Sequence, residues 1–199
     1  MMSKFLQIAA LMLVITSCQK DLLPSELITW VEDDEHQLIQ VQDFESFEFI
    51  AYYKPVDYVI AVESRTDELS TEDYHSKKRE LEGLQYFDLK IKVKDHSGNA
   101  ISGHLENEED YYNRLDYFVT HAQYDIQLVQ DTDTLWPKLY HFERNYGLAP
   151  YNTILLAFDD TKKTNHKTLI INDQVLGIGK IKFEFNENHI SSTPELKLN

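Results

Sequence analysis

The segment Tyr86-Phe87-Asp88-Leu89-Lys90-Ile91-Lys92-Val93-Lys94-Asp95 alternates without a fault. Phe87, Leu89, Ile91 and Val93 take one parity, while Asp88, Lys90, Lys92 and Lys94 take the other. Successive side chains of a strand point to opposite faces, so this period puts one face in a core and the other in water. His96-Ser97-Gly98-Asn99 then supplies turn chemistry. A half-wet strand of this kind belongs to an antiparallel sheet.

The same pattern recurs on both sides of it. Phe47, Phe49, Ala51 and Tyr53 alternate with Glu48, Ile50 and Tyr52, and near the end Ile181, Phe183 and Phe185 alternate with Lys182 and Glu184. Tyr124, Ile126 and Leu128 form a shorter segment that stops at Asp131-Thr132-Asp133-Thr134, a hairpin turn. Leu135 to Arg144 returns from that turn, with Pro137 assigning its start to an edge or bulge. Thr153 to Phe158 is apolar on both parities and reads as a central strand. Leu169 to Ile171 is expected to pair with it across the polar loop 159–166.

Helical spacing is confined to a few places. Asn107 can cap a helix running to about Ala122, with Glu108, Glu109 and Asp110 at the positive end of its dipole. Tyr111, Tyr112, Leu115, Phe118, Val119 and Ala122 are its apolar positions and read as one core-facing stripe. Ser70 followed by Asp73 opens a second helix over 70–81, and Pro55 suits the first turn of a short third one to Glu63. The expected fold is α+β: a predominantly antiparallel sheet or sandwich of about six to eight strands with two or three helices. No repeat or second linker interrupts residues 27–199, which read as one globular domain.

The first residues are of a different kind. Lys4 precedes the apolar run Phe5–Ile15, and Ile15-Thr16-Ser17-Cys18 closes it with small residues and the chain's single cysteine. The run is too short for a membrane span, which needs about 20 residues, and has the form of a secretory signal. Ile15, Thr16, Ser17 and Cys18 closely resemble the lipobox of bacterial lipoproteins. The resemblance implies a signal peptide over 1–17, cleavage before Cys18, and a diacylglycerol on the Cys18 thiol. It also relieves an exported domain of an unpaired reactive thiol. Gln19, Lys20 and Asp21 resemble the export signal of Bacteroidota surface lipoproteins, although Leu22 stands where that pattern has another acidic residue. A generic polar tether explains the same residues, and 18–26, with Pro24, is expected to be the lipidated cysteine and a disordered or extended linker. The resemblance implies an outer-membrane protein, lipid-anchored and facing either the periplasm or the cell surface.

With 19 basic and 34 acidic residues the net charge is −15. A field of that sign repels phosphate backbones and excludes nucleic acid as a partner. It suits a soluble body held off anionic headgroups by a lipid anchor.

No reaction declares itself. The eight histidines are scattered, none with the i, i+4 spacing of a helical zinc site, and no metal or other cofactor is expected. Asp131-x-Asp133 lacks the later ligands of a calcium loop, and Glu106, Glu108, Glu109 and Asp110 sit where a helix start favours negative charge. His141 and Glu143 share a strand face and form a conceivable acid–base pair, yet no nucleophile accompanies them. No catalytic residue is assigned. Of the 12 tyrosines, Tyr52, Tyr140, Tyr146 and Tyr151 are expected to be exposed and could line a protein- or glycan-binding surface, or simply brace a sheet. The chain therefore reads as a non-catalytic protein- or glycan-binding or assembly module at the outer membrane. The alternatives are an envelope hydrolase working through carboxylates and a structural spacer in an envelope complex.

Overall fold

The computed structural model of the protein describes residues 21–95, 98–145, 148–160 and 166–199. The described residues form an α+β sandwich of two antiparallel sheets. One sheet has five strands in the order β1 (Ile39–Asp43), β2 (Phe47–Lys54), β3 (Leu84–Val93), β7 (Tyr151–Asp159) and β6 (Leu139–Glu143). The other runs β5 (Asp133–Leu135), β4 (Ile126–Gln130), β8 (His166–Asn172) and β9 (Lys180–Asn186). Five helices accompany them: α1 (Pro24–Val31), α2 (Val56–Ser64), α3 (Thr71–Leu81), α4 (Glu108–Asp116) and α5 (Glu187–Ser191).

The alternating segments do what their period demands. Phe87, Leu89, Ile91 and Val93 are fully buried, and their register partners on β2 and β7 are buried with them. The sheets meet through aromatic side chains: the Phe185 ring centroid lies 5.5 Å from that of Phe87 and 6.2 Å from that of Tyr53. Burying a side chain of this size stabilises the fold by about 1.5–3 kcal/mol relative to leaving it exposed.

The caps also follow the sequence. The Ser70 hydroxyl accepts from the Asp73 N–H at 3.1 Å, and Asn107 Oδ1 accepts from the Asp110 N–H at 3.1 Å. Past Asp116 the helical path widens into a π turn over Tyr117–His121 and tightens into a 3-10 turn over Ala122–Tyr124. This bend drops Phe118 onto Phe142, their rings stacked 5.3 Å apart.

Three expectations need correction. The linker thought to extend through Glu26 ends earlier. The Leu22 N–H donates to the Glu195 carbonyl at 2.9 Å, the Lys197 N–H donates to the Leu22 carbonyl at 2.8 Å, and α1 begins at Pro24. Apolar Leu27 and Val31, both buried, are the reason: they give α1 a core face. Second, β8 does not pair with β7. It lies between β4 and β9 in the other sheet, so β7 and β8 belong to different layers of the sandwich. Third, the return from the 131–134 turn is split. Only β5 pairs with β4, and after Pro137, which cannot donate to a ladder, the chain changes sheet and becomes the edge strand β6.

Candidate functional site

Polar residues at core-facing positions mark both ends of the sandwich, and the two ends differ. At one end Gln85, Gln130 and Lys167 take the parity of Phe87, Leu128 and Leu169, and all three are buried. The two glutamines are hydrogen-bonded, and Lys167 is held by charge, with Glu187 Oε2 buried and without a hydrogen bond among the described residues. Gln130 Nε2 donates to Gln85 Oε1 at 3.3 Å, and Gln85 Nε2 donates to the Asp159 carbonyl at 2.8 Å. Lys167 Nζ lies 3.6 Å from Glu187 Oε2, 3.9 Å from Asp160 Oδ1 and 5.4 Å from the Tyr53 ring centroid. This is a polar plug held mainly by charge.

The opposite end is built around Asn152. In the β3–β7 ladder Asn152 faces Ile91, continuing the column Phe158, Leu156, Ile154. The residue is only 1 % exposed, and neither Oδ1 nor Nδ2 of its amide has a hydrogen-bond partner among the described residues. An asparagine amide can make up to four hydrogen bonds, and leaving one buried amide unpaired costs about 1–3 kcal/mol. Such an orphan is rare enough in a folded protein to require an explanation.

Asn152 lines a cavity of about 260 Å³ together with Asn99, Ile101, Ser102, Tyr111, Leu115, Arg144 and Asn145. Its walls are held in place. Asn99 Oδ1 accepts from the Ile101 and Ser102 N–H groups at 3.0 and 3.2 Å, folding the segment after β3 into a tight loop. Gly103 closes that loop; a Cβ there would lie 2.8 Å from Val93 Cγ2. The Arg114 guanidinium, from α4, donates to the Gly103 and His104 carbonyls at 2.6 and 3.2 Å. Asn99 Nδ2 donates to Asn145 Oδ1 at 3.0 Å, and Asn145 Nδ2 in turn donates to the Ala149 and Tyr151 carbonyls. Three strand ends and one helix are thereby fixed around an amide that has no hydrogen-bond partner among the described residues. Tyr111 and Leu115, one helical turn apart on α4, supply an apolar wall.

A second surface lies on the solvent side of the five-stranded sheet. Lys90 Nζ sits 4.5 Å from the Tyr52 ring centroid and 5.3 Å from that of Tyr151, a cation–π arrangement across β2, β3 and β7. Tyr52 and Tyr151 thus share the outward face expected of them. Tyr140 does not: its side chain is on the core parity opposite Leu156, its hydroxyl donates to the Phe118 carbonyl, and burial raises its pKa. Tyr146 lies outside the described residues.

His141 and Glu143 stand side by side on the outward face of β6, opposite Leu155 and Thr153, both exposed. Arg144 takes the other parity and reaches the cavity instead. Asp131 occupies the left-handed region at φ 51° in the β4–β5 turn, a conformation aspartate tolerates, and Glu108, Glu109 and Asp110 form the first turn of α4. Among the described residues no three His, Cys, Asp or Glu side chains gather as a metal site would require. No helix among them is long and apolar enough to cross a membrane. Asp21 is exposed at the start of the described chain. Ile15, Thr16, Ser17, Cys18, Gln19 and Lys20 lie outside it.

The asparagines of the cavity were missed by motif reading because they form no motif. The available signal was parity: Asn152 falls in step with Ile154, Leu156 and Phe158, an amide where an apolar residue belongs.

No protein-family model and no curated protein sequence matches the chain. Among solved structures it is similar to a DUF4426 family protein from Pseudomonas aeruginosa PAO1. The similarity covers 75 % of this chain and 93 % of that one at 12 % identity, with a TM-score of 0.37. At that level nothing about this chain's chemistry follows from it.

Proposed function

We propose that this protein is a lipid-anchored recognition module of the bacterial outer membrane, non-catalytic, which binds its ligand in the cavity beneath α4. The observation that carries the binding part is the orphaned amide of Asn152 at the cavity floor. An amide left without a partner among the described residues, beside a braced pocket, marks this cavity as more than a packing gap. Among the described residues that line the cavity none is a carboxylate, histidine or cysteine, which favours binding there over hydrolysis through carboxylates. The anchoring part rests on Ile15-Thr16-Ser17-Cys18. Because the fold begins at Leu22, only four residue steps separate it from Cys18, a reach of roughly 14 Å at full extension. The domain would stand close to the membrane on a short leash.

The test compares the full chain with its Asn152→Leu variant, each purified in detergent and exposed to solubilised envelope fractions, with retained molecules identified by mass spectrometry. A molecule held by the wild type and lost from the variant is the expected result. Identical retention by the two proteins would remove the cavity from the reading.

A further inference from the structure

We propose that α4 is a lid over the Asn152 amide, hinged at the π turn that follows it and latched by Arg114. The lid deepens the recognition role proposed above and rests on it for what the opening serves. As the walls stand, both polar atoms of Asn152 are shut away from solvent, so anything that reaches them needs a wall to move.

The walls are not equally held. On the strand side Asn99, Gly103 and Asn145 are tied into backbone and packed against β3 and β7. The helix side is thinner. No residue of α4 is fully buried, and Tyr112 and Val119, two positions that helical spacing assigns to a core, are 59 % and 48 % exposed. Tyr111 and Leu115, both half-buried, are the side chains it lays over the cavity. Beyond the π turn that continues it, no helix or strand runs alongside it. An element with so little buried apolar surface opens locally long before the fold as a whole does.

A hinge and a latch flank that weak wall. Immediately after α4 the chain is anchored: Tyr117 and Phe118 are buried, the Tyr117 hydroxyl donates to Asp125 Oδ2 at 3.1 Å, and the Tyr140 hydroxyl donates to the Phe118 carbonyl. The change from α to π winding falls between Asp116 and this anchored pair, and such a break in the ladder is where a helix bends most easily. The latch is the Arg114 guanidinium, which donates to the Gly103 and His104 carbonyls. Among the described residues it is the side-chain hydrogen-bond link between α4 and the loop that walls the cavity.

The orphaned amide biases the balance. Closure keeps Tyr111, Leu115 and the Arg114 bonds but leaves Oδ1 and Nδ2 of Asn152 unpaired; opening gives up the former and returns both atoms to water. The unpaired amide therefore narrows the gap between the closed and open forms.

The experiment follows solvent exchange of side-chain amide protons by NMR in the full-length protein in detergent, with no ligand added. Gln130, buried at the other end of the same core, is the internal reference. Arg114→Met removes the latch donors at similar side-chain length. It is expected to speed exchange of the Asn152 Nδ2 protons about tenfold or more and to leave Gln130 unchanged. Leu115→Ala, which thins the inner side of the lid without touching the latch, should act in the same direction. Exchange at Asn152 that neither variant changes, or that rises in step with Gln130, would overturn the lid. Because no ligand is present, the two readings separate. Latch-dependent exchange beside a cavity that retains nothing through Asn152 would uphold the lid and sink the binding role, and retention with unaltered exchange would do the reverse.

Discussion

Asn152 sits directly across the β3–β7 ladder from Ile91, two residues beyond the buried Leu89–Ile154 pair, so an unpaired amide occupies a place in the hydrophobic column. Its replacement by leucine, of the same branching though larger, removes two unsatisfied polar atoms and adds apolar burial beside the cavity. We expect Asn152→Leu to stabilise the ligand-free protein by about 1–2 kcal/mol. For a chain of this size that raises the melting temperature by about 2–8 °C. Stabilisation coupled to lost binding is the usual signature of a functional site that works against its fold. A destabilised variant in a thermal melt would instead make Asn152 a structural residue.

The pair formed by Lys167 and Glu187 behaves differently under substitution. Lys167 is 3 % exposed and depends on Glu187 at 3.6 Å and Asp160 at 3.9 Å. Glu187→Gln leaves a buried ammonium with one weak partner and should cost about 2–3 kcal/mol. Adding Lys167→Met to it removes the stranded charge and should restore most of that loss. Urea unfolding of the single and double variants measures both, and a silent Glu187→Gln would show that Asp160 and the tyrosine ring suffice.

High pH should unfold the protein through its tyrosines. Tyr53, Tyr117 and Tyr140 have pKa values raised above the ordinary 10.0, chiefly by burial; the Asp160 and Glu187 charges add to it at Tyr53, and Asp125 adds to it at Tyr117. A tyrosine that resists ionisation in the folded state holds its proton more tightly there than in the unfolded chain. Its contribution is complete below the unfolded value and is lost as pH climbs from there toward the folded one. Tyrosinate absorbance should therefore rise in two stages, exposed residues first and the buried group together with the loss of circular dichroism. A single smooth rise with the fold intact would contradict the burial.

Membrane attachment is decided at Cys18. Cys18→Ala should move the protein from the membrane fraction to the soluble one, since the acyl chains supply about 0.8 kcal/mol per buried methylene. Retention of the variant would refute the anchor. Replacing Lys20 and Asp21 with alanine should reduce protease shaving on intact cells while leaving the lipid in place, and unchanged shaving would count against an export signal.

How far the sequence reaches is clear from individual residues. Phe87, Leu89, Ile91 and Val93 fix a strand and its buried face because period two has one structural solution, and Ser70 and Asn107 fix helix starts because a side-chain oxygen must meet an orphan N–H. The partner of β8 was not legible. Leu169–Ile171 suits any apolar neighbour, and only packing places it beside β4 and β9. Tyr140 misled in a similar way, since its burial depends on β6 changing sheets after Pro137. Pro24 and Ser25 resemble linker residues until Leu27 and Val31 are seen to need a core. The cavity lay deepest: its asparagines come from three separate segments, and nothing local joins Asn99 to Asn145 or Asn152.

The most direct test of the account follows the Asn152 side-chain amide by NMR in the full-length protein, before and after addition of solubilised envelope fractions. The account predicts that the two amide proton resonances of Asn152 shift and saturate, and that their exchange with solvent slows as both polar atoms gain partners. Resonances that stay unmoved at saturating amounts of these fractions, in a protein shown to be folded, would contradict a recognition site at this cavity.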